Sequence, residues 1–393
     1  MNGNKKPLVP RLRFPEFLGA EEWENKALAD VCLQITNGKA NAEDHEEDGV
    51  YPLFDRSEVI KKSSDFAFDD EAVIIPGEGM RFQPKYFQGK FNLHQRAYAL
   101  MKHKGYAKFV YYTLDRFKDV LANNAVKSTV LSLRLPIIER FGLAIPSKDE
   151  QQKIADCLSS LDELIAAESQ KLTTLKTHKK GLMQQLFPRE GETVPRLRFP
   201  EFREAGEWKP KTIGNSCESF SGGTPSTTNK SFYGGEIPFI RSAEIDKVKT
   251  ELFLTNEGLE NSAAKLVRAG DILVALYGAN SGDVALSKIN GAINQAILCL
   301  RHETSDRFVY QYLSHKKEWI IATFIQGGQG NLSGEIIKAI SLFFPNPSEQ
   351  EHIADCLSSL DDLITAQTQK IDALKTHKKG LMKQLFPSIM EAI

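Results

Sequence analysis

Residues 154–188 read IADCLSSLDELIAAESQKLTTLKTHKKGLMQQLFP, and residues 353–387 read IADCLSSLDDLITAQTQKIDALKTHKKGLMKQLFP. About 27 of about 35 positions are identical, so the element is duplicated, and repeats decide architecture. Ile154, Leu158, Leu161, Ile165, Leu172 and Leu175 fall at spacings built from threes and fours, which draws one narrow apolar stripe down a helix. The second copy supplies Ile353, Leu357, Leu360, Ile364, Ile371 and Leu374. A stripe this narrow suits a coiled-coil seam better than a globular core. Glu168 and Lys179 interrupt the seam in one copy, Gln367 and Lys378 in the other. Polar seam residues cost stability but can fix register and orientation. Asp149 with Gln152, and Ser348 with Glu351, predict the two helix starts through capping boxes. Phe-Pro ends both copies, since proline disfavours continuing a helix. Gly181 and Gly380 lie inside the helices at a cost of roughly 1 kcal/mol each, which close helix packing would explain.

A second duplication precedes each globular region. VPRLRFPEF at 9–17 recurs at 194–202, and Trp23 recurs as Trp208. The offset here is about 185 residues against about 199 between the helices, so the second globular region carries extra residues. Cys32-x-x-Ile35-x-x-Gly38 aligns with Cys217-x-x-Phe220-x-x-Gly223 and Pro52–Ser57 loosely with Pro238–Ser242, while Val73-Ile-Ile75 aligns with Ile272-Leu-Val274 at the larger offset and Gly89-x-x-Asn92 with Gly291-x-x-Asn294 beyond it, which places the insertion within about 243–271. The expected layout is a lead-in (1–24), a globular region (25–148), a helix (149–188), a second lead-in (189–208), a second globular region (209–347) and a second helix (348–393). Short β-rich runs such as VIIP and DILVALYG alternate with Gly-, Asn- and Ser-rich turns, and helical stretches fall at 107–121 and 307–326. Each globular region therefore reads as mixed α+β. Near-identical helices carrying dissimilar globular regions imply one job done twice by the helices and two different jobs done by the regions.

Composition sets the outer bounds. The chain has 393 residues, 41% of them hydrophobic and 26% charged, which is ordinary for a soluble protein. No apolar run approaches the roughly 20 residues of a membrane span. The basic N-terminus lacks the apolar core of a secretory signal, and the five cysteines form no close pairs, so the expectation is a cytosolic, reduced protein without a zinc framework. A net charge of −1 makes any nucleic-acid surface a local patch.

Enzyme signatures are missing. There is no G-x-x-x-x-G-K-[ST] phosphate loop, no strand–G-x-G-x-x-G–helix unit, no G-x-S-x-G elbow, no H-E-x-x-H pair and no Asn/Asp-Pro-Pro-aromatic tetrad. Glu24-Asn-Lys26 is the nearest fragment of a nuclease motif and lacks its upstream aspartate. No catalytic or metal-ligating residue is assigned. What the loops offer is glycine beside amide, hydroxyl and guanidinium groups. The first region has Asn37, Lys39, Arg56, Ser57, Arg81, Asn92, Gln95 and Arg96. The second has Thr224, Arg241, Ser242, Tyr277, Asn280, Ser281, Asn294, Gln295, Gln329 and Asn331. Arg, Asn and Gln match base edges in the major groove, while Lys, Ser, Thr and backbone N–H groups hold phosphates. The same loops could equally make turns. KTHKK at 176–180 and 375–379 could face phosphates or form a solvated basic face near the helix C-termini. Arg11, Arg13, Arg196 and Arg198 could pair with a partner's acids or stay in water.

Taken together, these residues resemble the specificity subunit of type I restriction–modification systems. The resemblance spans nearly the whole chain. It rests on Gly-Gly-Thr-Pro at 222–225, Gly270-Asp-Ile-Leu-Val274 with Tyr277-Gly278, Asn294-Gln295, Asn331-Leu-Ser333, GKFNLHQRAY at 89–98, and the Pro-x-x-x-Glu150-Gln151 and Pro-x-Glu349-Gln350 openings of the helices. The first region departs from it in having Asn37-Gly38-Lys39 where Gly-Gly-Thr-Pro is expected. The resemblance implies an α+β, pseudo-two-fold chain: two target-recognition domains joined by two long antiparallel coiled-coil repeat helices. It implies a non-catalytic reader of an asymmetric, bipartite site in double-stranded DNA. Two modification subunits that bind S-adenosylmethionine and methylate adenine would dock on it, together with restriction/translocase subunits using ATP and Mg, the chain itself holding no cofactor. The alternatives are a two-headed DNA-binding regulator and a coiled-coil scaffold, both without methyltransferase partners.

Overall fold

The computed structural model describes residues 8–127, 130–325 and 331–387. The chain divides into two compact units, Met1–Ser169 with Gln369–Ile393, and Gln170–Thr368. The division falls inside both long helices, Lys148–Leu186 and Pro347–Leu385, each of 39 residues. Among the described residues no helix is long and apolar enough to cross a membrane.

The first unit is built on a six-stranded mixed sheet in the order Cys32–Asn37, Ala97–His103, Phe68–Pro76, Lys85–Leu93, Tyr51–Phe54, Lys61–Ser63. The AVII run at 72–75 is apolar without alternation because both of its faces are covered. Val73 and Ile75 pack on Phe109 and Val110 of the helix Ala107–Asn123, while Ala72 and Ile74 pack with Phe54, Phe91 and Met101.

The second unit repeats this plan with two strands broken. Ile272–Ala275 and Lys265–Val267 stand where the first unit has Phe68–Pro76, and Val284–Leu286 with Gly291–Ile293 stand where it has Lys85–Leu93. The break occurs where Gly270 takes φ +98° and Asp271 turns to Arg301, 2.8 Å away. Two four-stranded sheets result. The extra residues are consequently not one block. Most of them lie in the loop 241–251, against 55–60 in the first unit, and in 255–264, against 64–67.

Each unit contains the first half of one long helix and the last half of the other. In the first unit Lys378 reaches Asp162 at 2.6 Å and Lys370 reaches Glu168 at 2.5 Å, so the two segments run antiparallel. In the second unit Lys179 reaches Asp361 at 2.6 Å. The lysine interruptions of the seam are thus ion-paired cross-links. Each KTHKK cluster divides accordingly: Lys179 and Lys378 turn inward, whereas Lys176, His178, Lys375, His377 and Lys379 remain exposed. The stripe itself has two parts. Ile154, Leu158, Ile353 and Leu357 are buried in the domain cores, whereas Leu161, Ile165, Leu172, Leu175, Leu360, Ile364 and Leu374 are half-buried, and Ile371 is buried.

The duplicated lead-ins pack onto the duplicated helix ends. Leu12 N–H donates to Gln384 O at 3.0 Å and Leu197 N–H to Gln185 O at 2.9 Å. Trp23 meets Phe386 and Phe109 edge-on, at 6.4 and 5.8 Å between centroids. Trp208 meets Phe308, which in turn meets Phe187. Arg13 and Arg198 do not await a partner's acids. Each forks onto this chain's own Glu150 or Glu349, with every N–O distance 2.7–2.8 Å and both carboxylates buried.

The helix starts also differ from the sequence expectation. The caps are Ser147, whose Oγ accepts the Glu150 N–H, and Asn346, whose Oδ1 accepts the Glu349 N–H at 3.0 Å. Asp149 and Ser348 lie inside the first turn. The glutamate three residues after each cap does not fold back on it because the lead-in arginine takes the carboxylate. Gly181 and Gly380 hold no close contact: among the described residues nothing lies within 4 Å of a Cβ built at either. Gly181→Ala and Gly380→Ala are each expected to stabilise the chain by about 0.5–1 kcal/mol, seen as a higher Tm in thermal denaturation. An unchanged or lower Tm would mean that the glycines do serve a close approach.

Candidate nucleic-acid interface

In the first unit the turn His94–Gln95–Arg96 is a hub where three segments meet. Its His94 N–H donates to Phe54 O at 2.9 Å, at the end of the strand Tyr51–Phe54. Gln95 N–H donates to Ala40 O, and Ala40 N–H to Leu93 O, which brings in the loop after Cys32–Asn37. Gly77 N–H donates to Arg96 O at 2.8 Å, which brings in the loop after Phe68–Pro76. Gly38 is required by this closure, because a Cβ there would lie 1.7 Å from Leu93 O.

The second unit has the same hub at Asn294–Gln295–Ala296. Gly222 N–H donates to Asn294 O, and Leu276 N–H donates to Ala296 O at 2.8 Å. The Thr224 hydroxyl donates to Gln295 Oε1 at 2.7 Å. A Cβ on Gly222 would lie 1.8 Å from Ile293 O. Gly38 therefore does in the first unit what Gly222 does in the second, one residue before the Gly223 with which the sequence alignment matched it. Register likewise matches Leu93 with Ile293, since each follows a residue pairing in parallel with the hairpin strand. Gln95 then corresponds to Gln295, and Asn92 lies two residues from the position aligned with Asn294.

The candidate side chains fall into groups by what already holds them. Lys39, Arg56 and Arg81 are exposed and make no ion pair or side-chain hydrogen bond among the described residues. Asn37 and Gln95 are exposed at the hub: Asn37 Nδ2 donates to Gln95 O, and Gln95 Nε2 to Asn41 Oδ1 at 2.7 Å. Arg96 pairs with Glu78 at 2.7 Å in a largely exposed bridge, which a phosphate could displace at little cost. Thr224, Tyr277 and Asn331 are exposed in the second unit, Asn331 preceding Leu332, which bonds Leu276 O. Ser242 is half-buried beside them. Others are engaged in turns. Asn92 donates to Ser63 Oγ and accepts from Leu93 N–H. Asn280 donates to Asp283, and Ser281 to Leu276 O. Asn294 Oδ1 accepts from Ala296 N–H at 3.0 Å, just as His94 Nδ1 accepts from Arg96 N–H. Gln329 lies outside the described residues.

Two buried carboxylates brace the hairpin loops beside the hubs. Asp55 accepts the Ser57 amide at 2.7 Å, the Ser57 hydroxyl, and Lys61 at 2.8 Å. Glu244 accepts Arg241 N, Nε and Nη2 and the Glu251 amide, all within 3.0–3.1 Å. Burial works against ionisation of both, but Lys61 and Ser57 in one case, and Arg241 with the two backbone amides in the other, hold them below the usual carboxylate range. Arg241 is thus fixed in orientation, with Glu251 as a second partner. Sequence reading marked Arg56-Ser57 and Arg241-Ser242 but missed the acids; the local signal was Arg241-x-x-Glu244. Reactive thiols are absent at Cys32 and Cys217, because burial pushes them up to about 12 and about 11.

Comparison with known proteins gives a consistent result. A family model described as the type I restriction modification DNA specificity domain matches twice, over residues 20–177 and 205–376. The putative type I restriction enzyme MjaX specificity subunit of Methanocaldococcus jannaschii is 25% identical over 408 aligned residues, covering 93% of each chain. The type I restriction enzyme EcoDI specificity subunit of Escherichia coli is 28% identical over 179 residues, which cover 45% of this chain and 40% of that protein. The crystal structure of a type I restriction–modification S subunit from M. genitalium shares the fold, with a TM-score of 0.71 at 15% identity, over 98% of this chain and all of that one.

Proposed function

This chain belongs to the type I restriction modification DNA specificity family, and on that premise we propose that it is the non-catalytic subunit that reads an asymmetric, bipartite site in double-stranded DNA. The observation that carries this reading is a contrast. The lead-ins, helix ends and the Arg–Glu forks that lock them are nearly the same in both units, while the hubs they support present different side chains. Two unlike hubs fit two unlike half-sites. Exposed Lys39, Arg56 and Arg81 around Asn37 and Gln95 supply phosphate and base-edge donors in the first unit. Thr224, Gln295, Tyr277 and the braced Arg241 supply a different set in the second. Near-identical helices fit two copies of one partner, and the modification subunits, which would bring S-adenosylmethionine and adenine methylation, are that partner. Restriction/translocase subunits, with ATP and Mg, complete the assembly. Lys26, the base of the nuclease-like fragment, is paired with Glu24 at 2.6 Å.

The helices in this reading set the separation of the half-sites. Seven residues inserted into each long helix, near 170 and 369, add about 10 Å of rise, or about three base pairs. The recognised motif is expected to keep both half-sites and gain about three base pairs of spacer when methylated sites are mapped. A motif with an unaltered spacer would remove the helices from this role.

A further inference from the structure

The two hairpins beside the hubs share a design that their sequences do not. In the first unit Tyr51–Phe54 pairs with Lys61–Ser63, and in the second Tyr233–Ile240 pairs with Leu252–Leu254. Each hairpin leaves the sheet beside its hub, since Phe54 O accepts the His94 N–H and Ile240 pairs with Ile293. Each connecting loop is braced at its base by one buried carboxylate, Asp55 or Glu244. Each nevertheless raises β-branched apolar side chains into solvent: Val59 is 77% and Ile60 49% exposed, and Val248 is 65% exposed. Exposed lysines or arginines flank them, Arg56 and Lys62 in one hairpin, Lys247 and Lys249 in the other. Glu58, Asp246 and Glu251 are the exposed acids on the same tips, Asp246 being paired with Lys247 at 3.2 Å and Glu251 with Arg241 at 2.5 Å.

One exposed valine is unremarkable by itself. The same rigid base, apolar tip and basic flanks, at the same place in two diverged units, indicate a common use. The major groove admits a two-stranded β-ribbon, and the apolar group it displays on base edges is the thymine methyl. Valine and isoleucine are stiff at χ1, so fixing them against such a methyl loses little side-chain entropy. Lysines on either side of the tip are placed for the phosphates that line a groove.

We propose that the hairpin tips 55–60 and 241–251 enter the major groove, Val59 with Ile60 reading thymine methyl groups in one half-site and Val248 in the other. This rests on the DNA-reading function above. The test uses the full chain in complex with its modification subunits, on duplexes of the mapped motif in which each thymine in turn is replaced by deoxyuridine. Binding is expected to weaken about fourfold at one or more thymines in each half-site, the ratio that one buried methyl carries. Val248→Ser should abolish that penalty in one half-site only, and Val59→Ser with Ile60→Ser in the other, with Tm unchanged. Indifference to deoxyuridine throughout, or a penalty that survives in V248S and in the Val59/Ile60 variant, overturns the assignment of the tips. Absence of selective binding to any bipartite duplex, by contrast, overturns the DNA-reading function itself and the tips with it.

Discussion

Replacing Arg198 by methionine is expected to destabilise the second unit by roughly 3–5 kcal/mol, the range for removing one partner of a buried ion pair. The reason is the carboxylate left behind. Glu349 is fully buried, and Arg198 supplies both of its charged hydrogen bonds at 2.7 Å, Nε to Oε1 and Nη2 to Oε2. The same guanidinium caps Ala205 O and Gly206 O, so the lead-in also loses its fastening. Burial opposes the charge on Arg198, but the Glu349 hydrogen bond outweighs it and holds the guanidinium above its usual range. A double variant, Arg198→Met with Glu349→Met, should recover most of the loss, because replacing both charges removes the desolvation penalty along with the attraction. Urea denaturation of the two single variants and the double one gives the coupling directly. A single-variant effect below about 1 kcal/mol would mean that the fork behaves as a surface bridge. Arg13 and Glu150 should repeat the result in the first unit.

Phe187→Ala should cost the second unit a similar amount, about 3–5 kcal/mol, through the cavity it leaves. Phe187 is 1% exposed and stacks on Tyr312 at 4.3 Å, with Phe308 and His315 beside it. Phe386 occupies the matching place in the first unit, against Trp23 and Phe109. By sequence Phe187 closes the first repeat, yet the unit it completes is the second. Hydrogen exchange distinguishes the two possibilities. Phe187→Ala should lower protection across the helix Asp306–Phe324 and its neighbours, and Phe386→Ala across Ala107–Asn123. Loss of protection in the opposite unit would contradict this account of the cores.

The repeat helices, the duplication and the mixed α+β character were all legible in the sequence, because periodicity and self-similarity are local or offset by a constant. The partners of polar groups were not. Arg13 and Glu150 are separated by 137 positions, and Arg198 and Glu349 by 151, with no pattern linking them except that both pairs recur. That recurrence, a lead-in arginine and a Glu-Gln helix opening each present twice, was the available signal. Helix starts were placed two residues late because Asp149 and Ser348 also satisfy a capping pattern, and only the fold shows which cap is used. The insertion was placed within 243–271, and strand pairing then divides most of it between the loops 241–251 and 255–264. At the hubs, residue type did not separate exposed, unengaged side chains such as Arg56 from turn-formers such as Asn294. Amide, hydroxyl and guanidinium groups can bond the chain's own backbone as readily as another molecule, and only geometry tells the two uses apart.

The most direct test of the central claim is a genome-wide map of adenine methylation in cells carrying the modification subunit with and without this chain. The account predicts a split, asymmetric motif that is methylated only when the chain is present. Methylation that is unchanged by its removal would contradict the account.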